Sequence, residues 1–271
     1  MAQRKIMLNI GYGQSNELGT GVAPRMDGTT SIITSNIGVN VRHTSVFGRP
    51  NVSLTVAGTP GAVSAASIFQ KLAEHIALET GWIVGVQNFA RGGTAVTDNW
   101  CGWDGTNKRI LAPGETGYDP SSLIANTITG VTSAVAAGFE VWSITAGHQN
   151  DITISDVNNA AFRPVQQIIS GSAHIQNLAL AAGASKVIVG KTPRFIGGSY
   201  EAEFDPGGKI HQIAAGVIAA VPGAIAGADL TGNLDTRLCA TDNLQFIHLN
   251  HAGVCWAAEK WLHAIKAAKL I

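Results

Sequence analysis

Short apolar runs alternate with longer stretches of helical spacing along the whole chain, and that alternation limits the fold more than any other feature. Lys5–Ile10 reads as a strand. Val63–Thr80 reads as a helix, with Ile68, Leu72, Ile76 and Leu78 mostly at helical spacing and Gly81 as a stop. Trp82–Phe89 returns to a strand, and Arg91–Asp119 reads as a long loop carrying Trp100, Trp103 and Tyr118. Pro120–Ala137 starts at a proline and ends before Gly138, the usual asymmetry of a helix. Val141–Ala146 is a strand, and Asp156–Ala182 is mostly helix, ended by Gly183. Lys186–Val189 is a short β-branched strand, Gly208–Ala220 a helix and Ile225–Leu230 a last strand. Asn250–Leu270 closes the chain as a helix with Val254, Ala257, Trp261 and Ile265 on one face.

Strands alternating with long helices imply βαβ units and a parallel sheet. Right-handed crossovers then place helices on both faces. The 271 residues show no internal repeat and no low-complexity linker, so a single domain over residues 1–271 is expected. Only 13% of residues are charged, against about a quarter in ordinary globular domains, which argues against a disordered chain. Eighteen basic residues balance eighteen acidic ones without a basic run, so neither nucleic acid nor an anionic membrane is an expected partner. No stretch of eighteen apolar residues predicts a membrane span, and MAQRKIMLNI lacks the marks of a signal peptide. The compartment stays open. Cys101, Cys239 and Cys255 lie far apart with no CxxC, and read as free thiols that behave as small hydrophobes.

In an open parallel sheet, ligands bind beyond the carboxyl ends of the strands. Four loops should meet there. Gly13-Gln14-Ser15-Asn16 follows the first strand, NFARGGTAV with Gly92 and Gly93 follows the second, and GHQND with Asn150 and Asp151 follows the third. IHLNHAG with His248 precedes the last helix. Together they have the parts of an acyl-transfer site. A serine hydroxyl needs a base within reach, and His248 has the right chemistry. An oxyanion needs donors, and the backbone N–H groups of Ser15 and Gly93 and the side-chain amide of Asn150 are of the right type. Each member alone has a plainer reading. Ser15 would be a helix cap or turn residue, Gly92–Gly93 a turn, Asn150–Asp151 an Asx-turn or cap, and His248 a structural histidine. The set is stronger because all four fall where the fold puts them.

Competing motifs are incomplete. Gly11-x-Gly13-x-x-Asn16 lacks the third glycine of a dinucleotide fingerprint. Gly190-Lys191-Thr192 ends like a phosphate loop, but Ser185 stands at its required first glycine. Glu17 rules out a GxSxG elbow around Ser15. His248 and His251 have no nearby set to complete a metal site.

GQSN after the first strand, ARGGT with Trp100 following, GHQND, and the late His of HLNHAG together resemble the SGNH (GDSL-like) hydrolase superfamily. The likeness is to its GQSN branch of sialate O-acetylesterases and carbohydrate esterase family 6 acetylxylan esterases, and it runs from Gly13 to Gly253. It implies a flavodoxin-like three-layer α/β/α sandwich with a central, mostly parallel five-stranded sheet. It implies a serine esterase that removes short acyl groups, often acetyl from sugars, with no metal and no organic cofactor. By this resemblance Ser15 is the nucleophile and His248 the base. Gly93 and Asn150 line the oxyanion hole with Ser15, and Gln14, Gly92, Trp100 and Trp103 border the substrate, a small-molecule or glycan ester.

Two positions depart from the pattern. His148 stands where the branch usually has Glu, and Gln245 stands where the family has the Asp three residues before the catalytic His. Asp242, six residues before His248, becomes the candidate orienting carboxylate, with Asp151 as a competitor. A Ser–His dyad oriented by another acceptor is the alternative. Other readings are a lipase-like or thioesterase-like acylhydrolase of the same superfamily, or a carbohydrate-binding or virion tail domain that kept this fold without activity.

Overall fold

The structure, a computed structural model, describes residues 4–13, 42–47, 55–57, 67–91, 93–194, 196, 199–232, 234–239 and 249–271; for 42–47 and 55–57 it describes the backbone only. Its centre is a sheet of β1 (Lys5–Tyr12), β2 (Arg42–Phe47), β3 (Thr55–Ala57), β4 (Ile83–Asn88), β7 (Glu140–Thr145), β8 (Lys186–Lys191) and β9 (Ile225–Asp229). The order is β3-β2-β4-β1-β7-β8-β9. The five strands β4, β1, β7, β8 and β9 run parallel, as expected. An antiparallel pair, β2 and β3, extends the sheet beyond β4. That pair was not anticipated: its short, mixed-polarity segments, RHTSVF and TVA, lack the continuous apolar run that marks a strand buried on both faces.

Helices cover both faces. Helices α1 (Ile68–Thr80) and α6 (His251–Ala267) pack on one side, where Phe69, Leu72, Ile76, Val254 and Trp261 meet Ile6, Leu8, Ile10, Trp142 and Ile188. The other side carries α2 (Leu123–Ala136), α4 (Val165–Ala181) and α5 (Lys209–Ala220), against Met7, Val141, Val187 and Val189. From Ile6 to Ile10, β1 alternates between the two, as period-two geometry requires. Helix α1 starts later than Val63 because Ser67 forms a capping box: its Oγ accepts from Gln70 N–H at 3.3 Å, and Gln70 Oε1 accepts from Ser67 N–H at 2.8 Å.

The expected helix Asp156–Ala182 begins only at Val165, after Pro164. Asp156 and Asn159 turn their side chains onto the backbone N–H groups of Asn158 and Ala161, local bonds that compete with a helix. A short helix, α3 (Gln149–Ile154), forms instead where a loop was expected. The long loop after β4 is also structured. It holds a π-helical turn at Val96–Trp100 and a small hairpin of β5 (Trp103–Asp104) and β6 (Arg109–Ile110). Among the described residues, no helix is long and apolar enough to cross a membrane.

Candidate active site

The carboxyl ends of β1, β4 and β7 lie side by side, and a bulge shapes the first of them. Ile10 pairs with Ile144 and Tyr12 with Thr145, so Gly11 is one residue extra on β1. A Cβ on Gly11 would stand 2.9 Å from Ser143 Oγ, so glycine lets the strand bend against its neighbour. By alternation Tyr12 would join Ile6, Leu8 and Ile10 on the α1/α6 face. The extra residue turns it to the opposite face, where it packs with Trp100 and Ile152. One residue later, Gly13 C=O accepts a hydrogen bond from Arg91 N–H at 3.2 Å. That bond fastens the residue preceding Gln14–Ser15 to the residue preceding Gly92–Gly93.

The loop after β4 is held at every step. Asn88 Oδ1 accepts from Ala90 N–H at 3.0 Å, and Thr94 Oγ1 donates to Arg91 C=O at 2.8 Å. Asn99 Oδ1 accepts from Ala95 N–H at 2.8 Å, and the Trp100 indole donates to Thr94 Oγ1 at 3.2 Å. Gly93 sits exposed at the apex with φ +72°, the left-handed region that favours glycine. Among the described residues none accepts from its N–H. Asn150 Nδ2 reaches across from α3 to donate to Thr94 C=O at 3.1 Å. The second and third loops therefore share a side-chain bond at the expected oxyanion pair, Gly93 and Asn150.

Beneath this pair lies a buried carboxylate. Asp151 is fully enclosed and accepts three hydrogen bonds. Oδ1 takes the Val96 N–H at 2.9 Å, while Oδ2 takes the Tyr12 hydroxyl at 2.6 Å and His148 Nδ1 at 2.9 Å. With Nδ1 donating to a carboxylate, His148 Nε2 accepts from Ser172 Oγ, 3.2 Å away on α4. The Tyr12 ring lies 4.9 Å from the imidazole and 5.2 Å from Trp100, edge to face with the latter. His148 itself has φ +88°, a left-handed backbone rare for a residue with a side chain. Ser172, His148 and Asp151 line up in the order of a hydrolase triad, but they are 0%, 2% and 0% exposed. No substrate reaches that hydroxyl, and the trio braces the fold.

Ser15, Gln14, Gly92, Asp242, Gln245 and His248 lie outside the described residues. Leu249 pairs with Cys239 in an isolated bridge, and Asn250 caps α6 with its Oδ1 on Gly253 N–H at 3.0 Å. The residue after His248 is thus fixed at the start of that helix. Trp100 is fully buried, its ring enclosed with Tyr12, so its face is closed to a ligand. It anchors the loop because its indole N–H needs Thr94 and its ring fills space below it. Trp103 is half-buried, with the Arg163 guanidinium 4.3 Å over its ring, and Arg163 in turn pairs with Asp98 at 2.7 Å. Tyr118 ties the far end of the loop to α4 through His174 Nε2 at 2.8 Å.

Burial, with the Asp119 and Asp151 carboxylates nearby, pushes the Cys101 thiol up to about 12, and burial pushes Cys239 to about 11, so both stay protonated and inert at neutral pH. Asp151 has no role in capping its own loop, the plain reading of its position. His148, marked in the sequence only as a departure from Glu, joins it, and Tyr12 and Ser172 do so without any motif to mark them. For Tyr12 the available signal was a polar-tipped ring at the end of an otherwise apolar strand. Among the described residues, no group of three His, Cys, Asp or Glu side chains is placed to hold a metal ion.

No protein-family model matches the chain, and no curated protein does. Solved structures do. LAE5, an alpha/beta hydrolase enzyme from the metagenome of Lake Arreo, Spain, superimposes with a TM-score of 0.57 at 14% identity, over 98% of this chain and 96% of that one. A catalytic mutant of Axe2, an acetylxylan esterase from Geobacillus stearothermophilus, superimposes with a TM-score of 0.50 at 12% identity, over 97% and 94%. This chain shares their fold.

Proposed function

We propose that this protein is a serine esterase of the SGNH type that hydrolyses short acyl esters, most simply O-acetyl groups on carbohydrate. The observation that carries the reading is the Asn150 amide bonded to Thr94 C=O, beside the exposed, left-handed Gly93. It supports a reading in which that amide and the Gly93 N–H serve as paired donors, one hydrogen bond away from the segment that leads into Ser15. A tetrahedral oxyanion is stabilised by donors held in place before it forms. Ser15 attacks the ester carbonyl, His248 takes its proton and returns it to the leaving alcohol, and water then releases the acyl group. Asp242 orients the imidazole, because the two oxygens of Asp151 are already taken up by Tyr12, Val96 and His148.

The acetylxylan esterase among the structural neighbours supports the choice of acetyl and of a sugar. The test uses a chromogenic acetate ester, its eight-carbon homologue and a panel of acetylated glycans. Acetate release that disappears in Ser15→Ala supports the reading. Faster turnover of the eight-carbon ester moves the assignment to a lipase-like enzyme. No hydrolysis of any ester by the folded protein sinks it.

A further inference from the structure

We propose that Asp151 is the positioning residue of the oxyanion hole, acting through Tyr12, Val96 and His148 rather than on the substrate or on His248. The inference rests on the esterase reading above and deepens it. Three strand ends must hold a fixed relation for Ser15, Gly93 and Asn150 to point at one oxygen. Asp151 touches the end of β1 and the loops that follow β4 and β7. Tyr12 is the last residue of β1, three positions before Ser15, and the Gly11 bulge is what turns its hydroxyl onto Oδ2. Val96 lies three positions after Gly93 and gives its N–H to Oδ1. His148 precedes Asn150 in the turn into α3, and its Nδ1 also meets Oδ2. Asn150 is covalently next to Asp151, so a backbone shift at Asp151 carries with it the amide that donates to Thr94.

The site is closed to bulk solvent: the Asp151 and His148 side chains are 0% and 3% exposed. In such surroundings a carboxylate with three donors is held tightly, and losing it leaves those donors unpaired. His148 serves the same brace. Its Nε2 is anchored by Ser172 on α4, which fixes the ring and with it the left-handed backbone at the turn. This accounts for a histidine at the position where the resembled branch carries Glu: here it is the donor that a buried Asp151 needs.

The test compares Asp151→Ala, Asp151→Asn and Tyr12→Phe with the wild type on a chromogenic acetate ester, with thermal unfolding measured in parallel. Positioning predicts a fall in kcat of about a hundredfold in Asp151→Ala with KM within threefold, since an oxyanion donor acts in the transition state. Asp151→Asn keeps one acceptor, for Val96 N–H, but turns an amide N–H toward Tyr12 and His148, so its kcat falls below that of Tyr12→Phe and stays above that of Asp151→Ala. Tyr12→Phe removes one of three tethers and lowers kcat about threefold to tenfold. If Asp151→Ala fails to fold, the other two carry the comparison. Wild-type kcat in folded Asp151→Asn and folded Tyr12→Phe would overturn the proposal, and so would a pure rise in KM. A crystal structure of Tyr12→Phe separates this failure from failure of the esterase reading. The brace requires the Gly13–Arg91 or Asn150–Thr94 bond to lengthen there whatever the enzyme does. Both bonds unchanged would refute it even if the wild type hydrolyses acetate, and a wild type without activity would sink only the esterase reading.

Discussion

Two polar clusters stand at the carboxyl edge of the same sheet and are built from similar parts. Around β1 and β7, Asp151 joins a histidine and two hydroxyls, Tyr12 and Ser172 through His148. Around β8 and β9, Asp229 joins Lys191 at 2.6 Å and Thr231 at 2.6 Å, while His211 bridges Lys191 and Thr231 at 2.9 and 3.0 Å. The first cluster is sealed, and the second has Lys191 and Asp229 side chains 24% and 48% exposed. Water can replace a lost partner in the second and cannot in the first. The same chemistry therefore braces a site in one place and decorates a surface in the other. Lys191 belongs to the Gly-Lys-Thr run that resembled the end of a phosphate loop; it sits at the end of β8, tied to this outer cluster.

Stability should show the contrast most strongly. Asp151→Ala is expected to cost about 3 kcal/mol or more, since three buried donors lose their acceptor at roughly 1–3 kcal/mol each. Urea unfolding checks this, and a loss no larger than that of Asp229→Ala would erase the distinction between the clusters.

Asn150→Ala comes next, with an expected fall in kcat of about 10²–10³ and little change in KM. A KM effect alone would make Asn150 a ground-state binding group. Gly93→Ala should cost about 1–2 kcal/mol, because a Cβ at φ +72° is strained although nothing lies within 4 Å of it. An unchanged unfolding midpoint would show that the loop relaxes without its left-handed turn.

The smallest effect belongs to the outer cluster. Burial disfavours ionised Asp229, but hydrogen bonds from Lys191 and Thr231 and the lysine charge outweigh it, so its carboxyl lies below the ordinary range. A lowered folded-state value gives stability that is present above the unfolded carboxylate range and is lost as pH falls through the folded value. Screening at this exposure limits it to about 0.2–1 kcal/mol. The difference in stability between wild type and Asp229→Asn, followed from pH 6 down to about pH 3, should shrink with acid; a constant difference would contradict the assignment.

Much of this was legible in the chain, for identifiable reasons. Lys5–Ile10, Val141–Ala146 and Lys186–Val189 read as strands because strands buried on both faces are continuously apolar. Gly93 and Asn150 were singled out only as members of a set, because each follows a strand at the edge where ligands bind, although each alone reads as a turn or a cap. The Gly11 bulge was hidden, since a lone glycine in a strand does not announce which way the next residue turns. Asp151 and Tyr12 are 139 residues apart, and no local pattern encodes that meeting. Trp100 looked like the wall of a site because it sits in a long loop, yet it is fully buried. The π-helical turn at Val96–Trp100 folds it inward, and single-residue reading has no access to that turn.

The central claim is that this edge performs acyl transfer through Ser15, and covalent labelling tests it most directly. The protein is treated with a serine-directed organophosphonate, digested and mapped by mass spectrometry, with chromogenic acetate hydrolysis followed in the same samples. The account predicts a single adduct on Ser15, loss of hydrolysis in step with labelling, and slower labelling in Asn150→Ala. An adduct on another serine, or full hydrolysis by Ser15→Ala, would contradict it.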